Sequence, residues 1–186
     1  MRNKLKEISK DKETEVWIRI PTKLDKSDTL IKDVQIDNSQ NWMETHIKTF
    51  RINYGKNFDE IDFLKDIYSK KWDYLSAFNM EAITNCCKYL DVKTKIVRAS
   101  DISATGHKSE LVLDICKKFG ATTYLSTVGS REYLDKDKEI FENANVKVTY
   151  HNYTHPVYKQ RGKTFLPYLS VLDLIFNEGE NAKNFI

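Results

Sequence analysis

Short β-rich runs and helical patterns alternate through the second half of the chain, and this alternation constrains the fold more than any other feature. The β-rich runs are Lys93–Arg98, Thr122–Ser126 and Val146–Tyr150, and the helical patterns between them are Lys108–Phe119 and Tyr133–Asn143. Strands that alternate with helices in this way form parallel sheets joined by right-handed crossovers. The sequence therefore predicts an α/β fold with a mostly parallel, Rossmann-like sheet and flanking helices.

The first half of the chain predicts additions to this sheet. We expect strands at Glu15–Pro21 and Ile31–Ile36, and the polar turn at Asp25–Asp28 permits a hairpin, so the chain would begin with an N-terminal strand pair. Residues 1–13 are polar and have few apolar anchors, which favours a loop or a frayed segment. Apolar residues at helical spacing then predict a three-helix insertion. Its helices are expected to begin at Ser39, Asp59 and Trp72 and to end at Gly55, Ser69 and Leu90.

Composition limits the class of protein. With 186 residues, 40% of them hydrophobic, the chain can bury a substantial core, and we expect a single domain over residues 1–186. No stretch approaches the roughly 18 apolar residues that span a bilayer, and the charged first residues do not resemble a signal peptide, so we expect a cytoplasmic protein. The 30 basic and 27 acidic residues are interleaved, which is typical of a solvated surface and not of a nucleic-acid interface.

The three cysteines indicate neither a metal site nor a disulfide framework. Cys86 and Cys87 are adjacent in a helical pattern, and Cys116 is distant from them. Metal sites and disulfide frameworks have other spacings. Buried, reduced thiols are the plainer interpretation, and a reactive Cys116 is the alternative.

Two loops carry a glycine, a hydroxyl and a cation just before a helical pattern. The first loop, Ser100–Glu110, carries Gly106, Lys108 and Ser109 near its end. The second loop, Ser126–Arg131, contains Gly129, Ser130 and Arg131. Ligands in an open α/β sheet bind beyond the carboxyl ends of the strands, where a cation beside a helix N-terminus suits an anion. For either loop alone, ordinary helix capping by serine and glycine is the favoured alternative. The agreement between the two loops favours a binding site.

The stretch His151–Gly179 is the densest in residue types that are useful in a site. His155 is a candidate general base on the same side of the predicted sheet, and the alternative is a neutral imidazole bonded to a backbone carbonyl. A helix expected over Tyr168–Asn177 places Ser170 and Asp173 three residues apart. They could form a polar shelf for a substrate or for His155. Alternatively, Asp173 fixes the preceding loop by binding its backbone N–H groups, which is favoured because most side-chain hydrogen bonds go to backbone.

Several segments closely resemble those of the WbqC-like family. Its members carry Ser-Gly-x-x-Gly-Arg-Asp-Tyr-Leu, then His-Pro-x-Tyr, then a helix with Ser-x-x-Asp. The similar segments here are STVGSREYL at Ser126–Leu134, HPVYKQ at His155–Gln160 and FLPYLSVLDLIFN at Phe165–Asn177. DNSQNW at Asp37–Trp42 and HKSEL at His107–Leu111 also resemble family segments. The resemblance extends in order over essentially the whole chain.

The resemblance implies an intracellular bacterial protein of surface-polysaccharide biosynthesis, O-antigen biosynthesis in particular. The activity that it suggests is transfer of glycine or a related acyl group to an amino sugar, so the expected partner is a nucleotide-linked amino sugar. His155 and Asp173 are then the expected catalytic residues. Substrate contacts are expected from Lys108, Ser126, Gly129, Ser130, Arg131, Tyr133, Tyr158, Gln160 and Ser170. The sequence identifies no cofactor and no metal site.

Two departures from the family pattern bear on these expectations. Thr127 stands where family members usually have glycine, and Glu132 replaces an aspartate, which loosens the assignment of roles in that loop. The family's opening His-Gln-Pro-x-Tyr segment and first strand have no counterpart in the sequence given. We therefore expect an unpaired sheet edge, with self-association or a partner chain. The alternative to an enzyme is a non-catalytic module of the same pathway that binds a nucleotide sugar or a partner enzyme.

Overall fold

The computed structural model describes residues 3–9, 12–23 and 29–186. These residues form eight α-helices and six short strands, so the fold is a mixed α/β fold. The chain divides into two compact units: the first unit is Met1–Thr94 with His155–Ile186, and the second unit is Lys95–Thr154. Each unit has its own apolar core. The turn predicted at Asp25–Asp28 lies outside the described residues.

The first unit starts with an antiparallel hairpin. Strand β1 (Lys4–Ser9) pairs with β2 (Lys12–Trp17) along their full length. Leu5 is fully buried, and Lys6 is only 2% exposed. The prediction of a loop over residues 1–13 is therefore wrong for the described part of that segment. A single apolar residue and a buried lysine anchor β1, and both are easily mistaken for parts of a surface segment.

The hairpin predicted between Glu15–Pro21 and Ile31–Ile36 is replaced by other pairings, because Glu15–Trp17 belongs to β2 and pairs with β1. Strand β3 (Thr22–Lys23) pairs with β4 (Gln35–Ile36) in an antiparallel bridge of two residues each. Ile31–Asp33 forms a 3₁₀ turn in which no residue is buried. The strand expected over Ile31–Ile36 is thus limited to its last two residues, where Ile36 reaches the core.

Four helices follow: α1 (Trp42–Tyr54), α2 (Lys56–Asp59), α3 (Asp62–Ser69) and α4 (Leu75–Tyr89). The predicted three-helix insertion is confirmed, with α2 as an additional turn. Gly55 has a φ of +57°, which favours glycine, and α1 ends there. The buried rings of Phe50 and Phe58 pack against Phe176 near the C-terminus, and these three aromatic side chains form the centre of the core.

The last helix, α8 (Val171–Glu178), begins three residues later than predicted. Its N-cap is Ser170, whose Oγ accepts a hydrogen bond of 3.2 Å from the Leu172 N–H. The helix ends at Gly179, which has a φ of +54°. Asp173, Ile175 and Phe176 are buried, so this helix contributes both apolar surface and one carboxylate to the core.

The second unit contains α5 (Ser109–Lys118), β5 (Thr123–Thr127), α6 (Arg131–Lys136), α7 (Lys138–Asn143) and β6 (Lys147–His151). Strands β5 and β6 are parallel and directly paired. The core consists of Leu113, Cys116, Leu134, Phe141 and Val146, with Tyr124, Val148 and Tyr150 packed against it. These last three side chains show that one face of the strand pair meets the helices. The alternation of strands and helices predicted for this region is confirmed for β5 and β6.

The prediction of a mostly parallel, Rossmann-like sheet is wrong, because the parallel part of the described fold is a single pair of strands. The described residues form three sheets of two strands each, and only β5 with β6 is parallel. The strand predicted at Lys93–Arg98 is an extended, exposed segment without ladder pairing. Ile96 and Val97 there are 38% and 36% exposed. β propensity reflects the fit to a half-buried sheet surface, and a β-rich run becomes a strand only where a partner strand receives it. No helix of the described chain is long and apolar enough to cross a bilayer.

Candidate functional site

In the second unit, two parallel strands end at the same edge. Thr127 at the end of β5 lies opposite His151 at the end of β6. A 3₁₀ turn, Val128–Ser130, connects β5 directly to α6. The residues that follow both strands therefore meet where ligands bind in α/β folds. We call Thr127–Arg131 together with Tyr150–Tyr153 the carboxyl edge.

Arg131 and Tyr150 form a cation–π pair at this edge. The Arg131 guanidinium lies 4.6 Å from the centre of the Tyr150 ring. The Tyr150 hydroxyl donates a hydrogen bond of 2.6 Å to Oδ1 of Asp135, and this bond to the carboxylate raises the pKa of Tyr150. Arg131 and Asp135 are four residues apart on α6, so the helix presents both to one ring. The Tyr150 ring thus positions the exposed Arg131 guanidinium, while the Asp135 carboxylate is bonded to the Tyr150 hydroxyl.

Hydroxyls and further rings complete the carboxyl edge. The hydroxyls of Thr127 and Ser130 are 3.5 Å apart. A Cβ added at Gly129 would meet nothing within 4 Å, so the backbone there borders open space. The rings of His151 and Tyr153 stack with centroids 5.9 Å apart, and Tyr153 is 54% exposed. A cation, hydroxyls and flat rings together suit a ligand with an anionic group and an aromatic ring.

The other substrate-binding residues predicted for this unit have different surroundings. Ser126 is buried, on the same face of β5 as Tyr124, which packs against the helices. Lys108 is exposed just before α5, with a φ of +49°. Tyr133 is on α6, and 36% of it is exposed. Of the predicted set, the carboxyl edge therefore brings together Gly129, Ser130 and Arg131.

In the first unit, Asp173 is the centre of a buried hydrogen-bond network. Its Oδ1 accepts a hydrogen bond from the Tyr54 hydroxyl at 2.5 Å. Its Oδ2 accepts from the Tyr158 hydroxyl at 2.8 Å and from Nε2 of Gln160 at 3.0 Å. Asp173 is 0% exposed. Burial and the neighbouring carboxylate raise the pKa of Tyr54, so this phenol remains a donor.

This network fixes the loop before α8. Gln160 binds the Leu166 backbone twice, because its Oε1 accepts from the N–H at 2.8 Å and its Nε2 donates to the carbonyl at 2.9 Å. The Ser170 N–H donates to the Lys4 carbonyl at 2.8 Å, which links the cap of α8 to β1. The geometry supports the alternative in which Asp173 anchors the loop. The donors that it uses are side chains, however, and not the expected backbone N–H groups.

His155 is half-buried among aromatic rings. Its ring centre lies 5.0 Å from that of Tyr168 and 5.9 Å from that of Phe165. Its Nδ1 lies 2.7 Å from the Pro156 carbonyl oxygen, and since a carbonyl only accepts, Nδ1 donates. This bond is of the kind expected if His155 has a structural role and is not a base.

A second polar cluster joins the hairpin to the loop around Gly162. The Lys6 ammonium contacts the Glu13 carboxylate at 2.9 Å and also donates to the Thr164 carbonyl. Glu13 accepts further bonds from the Lys163 N–H at 2.6 Å and from the Thr164 N–H and hydroxyl at 2.9 and 2.6 Å. These bonds, led by that of the Thr164 hydroxyl, lower the pKa of Glu13. Lys6 and Glu13 thereby hold the loop against β1 and β2.

In the described ranges, no group of three or more His, Cys, Asp or Glu side chains is arranged to hold a metal ion. Burial raises the pKa of the Cys86 thiol to about 12 and also raises that of Cys116. Thiols with raised pKa values are poor nucleophiles near neutral pH.

Sequence patterns missed several residues of these clusters. Tyr150 at the carboxyl edge and its hydrogen-bond partner Asp135 are not among the predicted site residues, although Tyr150 ends a predicted strand and the carboxyl-end rule indicates it. Tyr54 gave no signal, because its position in a helical pattern is that of an ordinary core residue. Lys6 and Glu13 belonged to a segment that was expected to be a loop.

The fold and the carboxyl edge define a small mixed α/β protein with a candidate anion site beside a parallel strand pair. The WbqC-like protein family matches residues 1–185, and the chain belongs to that family. It is 30% identical over 176 residues to the uncharacterised protein Rv1507c of Mycobacterium tuberculosis. The matched region covers 91% of this chain and 75% of the relative. The comparison with solved structures gave no match.

Proposed function

We propose that this protein is a transferase of bacterial surface-polysaccharide biosynthesis, which passes glycine or another acyl group to a nucleotide-linked amino sugar. The observation that carries the proposal is the Arg131 guanidinium, held 4.6 Å from the Tyr150 ring at the carboxyl edge. A guanidinium can bind a phosphate through two parallel hydrogen bonds. The exposed Tyr153 ring, which belongs to the same edge, suits a nucleobase. The pathway is inferred from the resemblance of the sequence to the WbqC-like family.

The proposed chemistry is amide formation on a sugar amine. A base first takes a proton from the sugar ammonium, and the neutral nitrogen then attacks the carbonyl carbon of an activated acyl donor. The bond to the leaving group breaks, and the nitrogen passes its second proton to the departing group, which leaves the amide. His155 is the proposed base. It belongs to the first unit, and its Nδ1 donates to the Pro156 carbonyl at 2.7 Å, which orients the imidazole.

The second candidate function is a binding module without catalytic activity. The state of Asp173 favours it, because this expected catalytic carboxylate is 0% exposed and accepts hydrogen bonds from three side chains. In the binding module, a carboxylate held in this way would stabilise the fold and have no direct role toward the ligand. The module would bind the same nucleotide sugar at the carboxyl edge.

Binding of UDP-glucosamine, measured by calorimetry, tests the anion site. We expect Arg131→Ala to weaken binding at least about tenfold, since charge-assisted hydrogen bonds contribute roughly 1.5–3 kcal/mol. Lys147→Ala is the matched control, because Lys147 is an exposed cation at the opposite end of β6. Its removal should leave the affinity within about twofold. Equal losses for both variants, or no binding by the native protein, would contradict the proposed site.

Turnover separates the two candidate functions. The native protein is incubated with UDP-glucosamine and an activated glycine donor, and amide product is measured by mass spectrometry. The transferase proposal requires product from the native protein, and His155→Ala should retain UDP-glucosamine affinity and lose product formation. Binding without product under these conditions would overturn the transferase and favour the binding module.

A further inference from the structure

The first unit contains an open groove of about 630 Å³ between the extended segment Trp17–Thr22 and α1. Trp42 and His46 are buried at its base, at 5% and 3% exposure. The groove includes part of the DNSQNW motif at Asp37–Trp42, to which the proposed function assigns no role. Its volume lies in the range of small-ligand sites.

The two walls of the groove are bonded to each other. Nε2 of His46, on α1, donates to the Arg19 carbonyl at 2.8 Å, while its Nδ1 accepts from the Tyr68 hydroxyl at 2.9 Å. The Asp37 N–H donates to the Pro21 carbonyl at 2.9 Å. These bonds fix the spacing of the walls, so the groove is preformed.

The α1 wall presents a row of hydrogen-bond acceptors. Asn41, Thr45 and Thr49 follow each other at four-residue spacing and therefore lie on one helix face. The Thr45 hydroxyl donates to the Asn41 carbonyl at 2.9 Å, and the Thr49 hydroxyl donates to the Thr45 carbonyl at 2.9 Å. Since both hydroxyl protons are used within the helix, the hydroxyl oxygens remain as acceptors. Such a row suits a ligand that carries several O–H donors.

The opposite wall presents an aromatic ring and a cation. Trp17 is 48% exposed, and the Arg19 guanidinium lies 5.5 Å from its ring centre. Lys4, whose ammonium pairs with Glu15, also lies 4.7 Å from this ring but does not line the groove. The C–H faces of sugar rings pack on indole surfaces, and arginine suits carboxylate or phosphate groups.

From these observations we infer that the groove binds an acidic saccharide. The sugar ring packs against Trp17, its hydroxyls donate to the row formed by Asn41, Thr45 and Thr49, and its carboxylate or phosphate contacts Arg19. His46 is a positioning residue, which holds the Arg19 wall and does not contact the sugar. This site belongs to the first unit and does not depend on the function proposed for the carboxyl edge.

Calorimetric titration of the full chain with tri-galacturonate tests the inference, with maltotriose as the neutral probe and galactose 6-phosphate as the phosphate probe. We expect Trp17→Ala and Arg19→Ala each to weaken tri-galacturonate binding about tenfold or more. Thr45→Val, which removes one acceptor at nearly constant shape, should weaken it about two- to tenfold. All three side chains are exposed, and unfolding midpoints close to the native value would show that the variants are folded.

Arg51→Ala is the matched control, since Arg51 is an exposed cation on α1 that does not line the groove. Its affinity should stay within about twofold of the native value. Absence of binding to both acidic probes would overturn the inference, as would equal affinity for maltotriose or binding that survives both Trp17→Ala and Arg19→Ala. Arg131→Ala should not change tri-galacturonate affinity, so a failure at the carboxyl edge is distinguishable from a failure here.

Discussion

The hydroxyl of Tyr54 at the end of α1 donates a 2.5 Å hydrogen bond to the carboxylate of Asp173 in α8, 119 positions later in the chain. The same hydroxyl accepts a hydrogen bond of 3.0 Å from the Lys6 N–H of β1. A single phenol therefore connects the hairpin, the first helix and the last helix. Because the carboxylate is buried without a cation among its described partners, its three donors carry its stabilisation.

Tyr54→Phe should lower the stability of the protein measurably. The substitution removes one donor from a buried carboxylate and one acceptor from a strand N–H, which we expect to cost about 1–3 kcal/mol. For a chain of this size, each kcal/mol shifts the thermal midpoint by about 2–4 °C. Tyr74→Phe is the control, because Tyr74 is 45% exposed. The thermal midpoint of this variant should equal that of the native protein. Similar midpoints for both variants would show that the network contributes little.

Glu13→Gln should destabilise the protein at neutral pH, and the difference should shrink in acid. The hydrogen bonds to Glu13 lower its pKa below the ordinary value of 4.5, so the stability that its charge contributes is present above 4.5 and is lost as pH falls through the lowered pKa. Urea unfolding at about pH 7 and at about pH 3 measures this difference. Glu15→Gln, in the exposed pair with Lys4, should change little at either pH. A difference that grows in acid would contradict the assigned role of Glu13.

Gly162→Ala should destabilise the protein more than Gly55→Ala does. Both glycines have positive φ values, +88° and +57°, so both variants carry backbone strain of roughly 1–3 kcal/mol. A Cβ at Gly162 would also lie 2.5 Å from Oε1 of Glu13, whereas a Cβ at Gly55 would meet nothing within 4 Å. The free energy of unfolding of each variant is measured with a chemical denaturant. The additional loss in Gly162→Ala over Gly55→Ala reports the steric conflict with Glu13, because both variants carry backbone strain. Equal losses would mean that the loop moves away from Glu13 without penalty.

The exposed face of the parallel pair should make the protein self-associate. Leu125 is 62% exposed on the face of β5 opposite Tyr124 and Ser126, whereas parallel sheets are ordinarily covered on both faces. We expect concentration-dependent association in sizing with light scattering, and Leu125→Lys should reduce it. Ile52→Lys is the matched control, because Ile52 is 64% exposed on α1. A monodisperse monomer at all concentrations would falsify this prediction.

Local patterns were sufficient for α1, α3, α4 and α5 and for two strands, whereas the single helix predicted over Tyr133–Asn143 is divided into α6 and α7. The apolar spacing in α1, α3, α4 and α5 repeats every turn, so each helix could be recognised from its own residues. Gly55 and Gly179 end their helices where predicted, because positive φ angles favour glycine. The β-rich runs at β5 and β6 were recognised in the same way, and their parallel pairing followed from the helices between them.

The candidate site could be predicted only in part. The carboxyl-end rule indicated Gly129, Ser130 and Arg131, which the structure brings to one edge. The rule did not distinguish Ser126, which the period-two alternation of β5 turns to the packed face. Whether Arg131 binds phosphate and whether His155 is a base stay predictions until binding and turnover are measured.

The sequence by itself determined four of the helices (α1, α3, α4 and α5), the two parallel strands and the family, because these depend on short-range periodicity and on ordered motifs. Only the tertiary structure decided that Lys93–Arg98 remains outside a sheet, that Asp173 is bonded to Tyr54, and that Lys6 is buried with Glu13. Strand pairing and buried polar contacts join residues that are distant in the chain. Their stability depends on the partner that each group meets, and local composition does not specify that partner.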